Sequence, residues 1–218
     1  MKKYLSVFSV ITLIACSKES KTHSDISGKD PTVKNPADSI SAHEIEPVHT
    51  NASREEILKT INNELLSALK SKKYEKLTKY IHPEKGVRFS MYAYSDPKKD
   101  RHFTKEEFEQ YVPTDIRFTW GQKDGTGDLL VLSIKEYLET WVFVKDFSKS
   151  QYYLNAFKGG GNSLNNLQEV YPSLNFTENY LPGTEQYSQM DWNSLRFVFE
   201  ELYGTYYLVA VINDQWTV

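Results

Sequence analysis

Residues 53–218 are predicted to form one α+β domain, with helices first and an antiparallel sheet last. Three observations carry this. Ser53-Arg54-Glu55-Glu56 has capping-box form, a hydroxyl for the N3 amide and a carboxylate reaching back. Ile57, Ile61, Leu65 and Leu69 follow it at helical spacing. The last third reads as β-structure, where residues 195–202 and 206–212 flank Tyr203-Gly204-Thr205, a hairpin signal.

The other elements follow in order. Tyr74, Leu77 and Ile81 mark a short second helix ending at His82-Pro83, because a residue before proline is pushed out of the helical region. Residues 87–94 read as extended. Thr104-Lys105-Glu106-Glu107 and Ser133-Ile134-Lys135-Glu136 are two more capping boxes, the second opening a helix with Tyr137, Leu138, Trp141 and Val142 as its apolar stripe. Between them, residues 116–120 and 129–132 read as strands around the turn Lys123-Asp124-Gly125-Thr126-Gly127. Residues 164–171 and 176–181 read as strands on either side of Pro172.

What precedes the domain differs in kind. Met1-Lys2-Lys3 is a basic start, and Tyr4 to Ala15 is an apolar run shorter than the roughly 20 residues a permanent span needs. The run ends in Leu13-Ile14-Ala15-Cys16, with the only cysteine of the chain. This resembles the lipobox of bacterial lipoproteins. The resemblance implies diacylglycerol on the Cys16 thiol, cleavage before it and acylation of the new amino group. Residues 1–15 are then a signal peptide and residues 16–52 a tether. The tether is rich in Ser, Thr, Lys, Asp, Asn and Pro, and is too polar to offset the entropy of ordering. The expected location is the bacterial cell envelope, with the membrane as a partner through the lipid. Ser17 after the lipid site points to the outer membrane under the enterobacterial sorting pattern.

Composition removes several functions. The formal charge is -3, or about -5 without Lys2 and Lys3, which is not the balance of a nucleic-acid binder. With Cys16 the only cysteine, the domain has no disulfide, thiol nucleophile or thiolate metal site, and no cofactor or metal is expected. Residues 70–105 hold 11 basic against 4 acidic side chains, while residues 106–218 hold 7 against 16.

The order of elements resembles the cone-shaped cystatin-like fold, whose superfamily includes nuclear transport factor two, ketosteroid isomerase and polyketide cyclases. The stretches Tyr80-Ile81-His82-Pro83-Glu84-Lys85-Gly86-Val87-Arg88-Phe89 and Asn213-Asp214-Gln215-Trp216-Thr217 also resemble a group of uncharacterised bacterial lipoproteins. The resemblance implies a sheet curled around the first helix, with a pocket at its open end. Pocket enzymes of that superfamily use a carboxylate base with a Tyr or Asp donor, or an Asp/His pair. The candidates here are His82, Asp191 and Asp214.

Asp191-Trp192 enters the final hairpin and Asp214-Gln215-Trp216 leaves it, so its geometry should bring the two together. With Arg88 they make the candidate ligand-binding set: Arg88, Asp191, Trp192, Asp214 and Trp216. Lys158-Gly159-Gly160-Gly161-Asn162 has the composition of an anion-binding nest, but it lacks the Lys-Ser/Thr and helix of a P-loop and reads as a flexible loop. Three readings follow: a non-enzymatic binding domain for a small ligand or envelope protein; a pocket hydrolase, isomerase or dehydratase; and a structural envelope protein whose pocket is filled by Trp120, Trp141, Trp192 and Trp216.

Overall fold

All three predicted capping boxes form, and each starts a helix. In the computed structural model, which describes residues 52–217, helix α1 spans Arg54–Lys70. The signal peptide, Cys16 and the tether up to residue 51 lie outside the described residues. Ser53 N–H donates to Glu56 Oε2 at 2.7 Å, while Ser53 Oγ accepts from Glu56 N–H at 3.3 Å. A 3-10 helix at Tyr74–Tyr80 follows, then strand β1 (Val87–Ser90), β2 (Arg101–Phe103) and α2 (Lys105–Tyr111). Strands β3 (Arg117–Gln122) and β4 (Leu129–Ser133) form a separate two-stranded ribbon. Helix α3 (Ile134–Tyr137) continues into a π-helical turn at Leu138–Val142, closed by Phe143 N–H on the Leu138 carbonyl at 2.9 Å. The chain ends with β5 (Gln151–Leu154), α4 (Leu167–Val170), β6 (Asn175–Leu181), β7 (Asn193–Leu202) and β8 (Thr205–Gln215).

The main sheet is open and six-stranded, in the order β2-β1-β8-β7-β6-β5. The predicted final hairpin is β7/β8, where Tyr203 and Gly204 both have positive φ, as a two-residue turn matching the twist of its strands requires. The expectation of an antiparallel sheet is corrected at one pair: β1 runs parallel to β8, with Arg88 opposite Ala210, so the sheet is mixed. Parallel neighbours need a long crossover, and here almost the whole domain lies between the two strands. The strand expected at residues 164–171 is also absent. Asn165 Oδ1 accepts the Leu167 N–H at 3.1 Å, and Asn166 bonds both the N–H and the carbonyl of Ser95, at 2.8 and 3.0 Å. These side-chain bonds divert the backbone into α4.

Strand alternation gives β7 two buried faces. On the inner face Leu195, Phe197 and Phe199 join α1 residues Leu58, Leu65 and Leu69 in one core. Phe89, Phe103, Phe108, Trp120 and Tyr137 complete it, with Trp120 and Tyr137 stacked at 3.6 Å between centroids. On the outer face Val198, Phe176, Ala210 and Ile212 form a second core with Leu167 of α4. Among the described residues both cores fall within residues 57–212, inside a compact unit of residues 49–218 that carries its own hydrophobic core.

Polar groups register α1 on the sheet. Asn62 is buried on the inner face; its Nδ2 donates to Asn179 Oδ1 at 2.9 Å, and its Oδ1 accepts from Asn179 Nδ2 and Thr177 Oγ1, each at 2.8 Å. Asn62→Ala takes the partner from buried Asn179 Oδ1 and Thr177 Oγ1, while Asn179 Nδ2 keeps the Leu195 carbonyl, so it should destabilise the domain by roughly 2–3 kcal/mol in urea unfolding. A loss under about 0.5 kcal/mol would show that the amide pair does not register the helix.

Candidate functional site

The outer face of β7 carries a charge where its neighbours are apolar. Arg196, fully buried, lies between Glu178 of β6 and Asp214 of β8. Its Nε donates to Glu178 Oε1 at 2.7 Å and its Nη2 to Asp214 Oδ2 at 2.8 Å. Nη2 also reaches the Gly159 carbonyl at 3.1 Å, and Ser194 Oγ donates to Glu178 Oε1 at 2.9 Å. The other Glu178 oxygen accepts the backbone N–H groups of Lys158 and Gly159. Two amides at the start of the run, which the sequence reads as a flexible loop, thus bind an anion, and the anion is the protein's own carboxylate. Phe157 covers the guanidinium, its centroid 5.0 Å away, and stacks on Phe176 at 4.6 Å. Gly159 and Gly161 allow this approach: a Cβ on Gly161 would stand 2.9 Å from the Trp192 ring, and one on Gly159 would collide with Ser194 Oγ.

Farther along the outer face is an open groove of about 470 Å³. One end is polar: Lys85, Arg88 of β1, His102 of β2 and Glu200 of β7. The other is mostly apolar: Val170, Tyr171, Pro172, Leu174 and Val209, supplied by β8 and by the segment from α4 to β6. Lys85 is neutralised by Glu200, whose two oxygens lie at 2.6 and 2.7 Å. Arg88 gives one donor, Nη1, to the Asp100 backbone carbonyl at 3.1 Å, and no carboxylate lies within 4.0 Å of its guanidinium among the described residues. Asp100 turns its carboxylate to Ser90 and Ser95 hydroxyls and the Asp96 N–H, and burial raises its pKa in spite of those bonds. Burial likewise raises the Tyr171 phenol, while Ser95 and Arg88 beside it pull the other way.

Two histidines position the Lys85 segment. His82 is buried, with Nδ1 accepting the N–H groups of Glu84 and Lys85 at 3.1 and 3.0 Å, which puts the neutral ring's proton on Nε2. His102 Nε2 holds the Lys85 carbonyl at 2.6 Å, which likewise requires a proton on that nitrogen.

The candidates thus fall into different settings. Asp191 closes a turn by accepting the Thr184 N–H at 2.6 Å, and that bond lowers its carboxyl. Asp214 faces Arg196. The hairpin brings Trp192 and Trp216 to one end of β7/β8, where the glycine run lies against both; Trp192 is buried and Trp216 is 44% exposed. Arg88 stands in the groove, which none of these four residues lines. Sequence reasoning singled out neither Arg196 nor Glu178. Their signal was a charge inside the apolar run Leu195-Arg196-Phe197-Val198-Phe199. Among the described residues no group of three or more His, Cys, Asp or Glu is placed to hold a metal ion, and no helix is long and apolar enough to cross a membrane.

These features define an α+β domain with an N-terminal helix and a mostly antiparallel six-stranded sheet. Neither the protein-family models nor the curated proteins searched contain a match to the chain.

Burial raises the Asp214 carboxyl, and the attraction of Arg196 offsets this only in part. A raised folded-state value contributes stability that is fully present below the unfolded carboxylate range, near pH 3.8, and lost as pH rises through the folded value. Asp214→Asn lacks this titration. The stability of the wild type minus that of Asp214→Asn should therefore fall as the pH rises above the unfolded carboxylate range in denaturant titrations. A difference that grows with pH would mean that attraction to Arg196 outweighs burial.

Proposed function

We propose that this chain is an envelope lipoprotein, anchored through lipid on Cys16 in the outer membrane, whose domain is a non-enzymatic binding module. Its ligand is a small molecule seated in the outer-face groove. The observation that carries this reading is Arg88: a guanidinium with no carboxylate within 4.0 Å among the described residues, set at one end of a concave surface whose other end is mostly apolar. A few polar groups converging on an apolar concavity are the usual form of a small-molecule site.

The pocket-enzyme reading draws less support. Asp214 is committed to Arg196, Asp191 to Thr184, and His82 to two backbone amides. We take the architecture to be the cystatin-like cone, because α1 lies on the inner face of the six-stranded sheet. The interior of that cone is filled by Phe89, Phe103, Phe108, Trp120 and Tyr137, which favours a binding site on the outer face. The anchor is supported by the run Leu13-Ile14-Ala15-Cys16 after a short apolar segment.

One preparation tests both halves. The full chain is purified from host membranes and weighed by mass spectrometry, native and denatured. The denatured chain should begin at Cys16 and carry diacylglycerol, and the native species should be heavier by one small ligand. Val170→Trp, which fills the apolar end of the groove, should keep the lipid and lose the ligand. An unmodified Cys16 would remove the anchor, and equal native and denatured masses would remove the groove.

A further inference from the structure

The groove's chemistry narrows its ligand, provided that the groove is the binding site proposed above. Its lining carries two fixed cations, Lys85 and Arg88, against one carboxylate, Glu200. Lys85 and Glu200 form a close pair and cancel. His102 has its Nε2 tied to the Lys85 carbonyl. Asp100 bonds Arg88 through its backbone carbonyl, while its carboxylate, held by Ser90, Ser95 and the Asp96 amide, attracts Arg88 without direct contact. What remains is the Arg88 guanidinium, a planar fork of five N–H donors with Nη1 on the Asp100 carbonyl, the Tyr171 phenol beside it and donors to spare.

A guanidinium in this state fits a carboxylate bidentately. A ligand with no negative charge would cover Arg88 without compensating it, at a desolvation cost. A dianion would bring a second charge beside Glu200 with no cation left to meet it. The head group is therefore singly charged. Behind it, Val170, Pro172, Leu174 and Val209 offer an apolar wall with no charged side chain, which suits a tail of methylenes.

We infer that the ligand is an amphipathic monocarboxylate, its head on Arg88 and its aliphatic tail along the wall from Val170 to Val209.

The isolated domain, residues 50–218, is titrated calorimetrically below micellar concentrations with three ten-carbon probes: decanoate, decanol and decyltrimethylammonium. Decanoate should bind and the other two should bind at least about tenfold more weakly. Arg88→Met should weaken decanoate by about tenfold or more without changing the melting temperature, and Arg88→Lys should recover part of the loss. Val170→Trp should abolish binding from the tail end.

If decanol or the cation binds as tightly as decanoate, or if Arg88→Met leaves decanoate unchanged, the inference on charge falls. The groove itself survives that result when Val170→Trp still blocks the probe. If none of the three binds, the monocarboxylate is wrong, and a ligand mass retained by the native full chain would show that the groove takes another class.

Discussion

Arg196 sits at the centre of the sheet, on the middle of β7, with no access to water. A buried guanidinium is tolerable only with partners on several sides, and it draws one from each neighbouring strand, Glu178 and Asp214. Glu178 in turn has an oxygen left over, which takes the backbone amides of Lys158 and Gly159. One unfavourable residue thereby fixes three strands in register and folds the glycine run onto the outer face. Removing a single partner would strand a buried charge, so the cluster behaves as a unit. Arg196 Nη1 and Asp214 Oδ1 have no hydrogen-bond partner among the described residues, so the cluster is not fully satisfied by protein groups.

The consequence is a domain with two covered faces. The inner face meets α1 through aliphatic contacts and the Asn62–Asn179 amide pair. The outer face is covered by the segment joining β5 to β6, held near one end by Glu178 and in its middle by Asn166 on Ser95. The groove is bounded by the last part of that segment, so its apolar wall depends on the same attachments. Lys85 depends in the same way on His82 and His102, which grip its amide and its carbonyl. The two histidines are thus positioning residues for the polar end.

Local rules were legible in the sequence, and long-range partners were not. Ser53, Thr104 and Ser133 signal helix starts because a capping box is complete within four residues, and all three formed. Tyr203-Gly204 signals a hairpin for a similar reason, since only the turn's own dihedrals are involved. The parallel pairing of β1 with β8 joins segments at opposite ends of the domain, and no local pattern encodes it. The misread segment 164–171 spaces its apolar residues as Leu164, Leu167, Val170 and Tyr171, a helical rather than an alternating interval, and Asn165 and Asn166 hold its turn through bonds that only the folded chain reveals. The site was half legible. Arg88 stood out as a charge on an early strand, whereas Asp214 looked like a free carboxylate because its partner lies 18 residues earlier on the facing strand. The glycine run read as a flexible loop rather than a nest, because Glu178 reaches its amides only after β6 and β7 have paired.

Buried charge, not the flexibility of its glycines, determines how the 158–161 run sits. Amide hydrogen exchange at Lys158 and Gly159 tests this most directly. If their N–H groups are held by Glu178, they should exchange as slowly as the amides of β6 and β7, and speed up together with them in Arg196→Met. Exchange at the rate of an open loop in the wild-type domain would contradict the account, leaving the outer layer without its anchor.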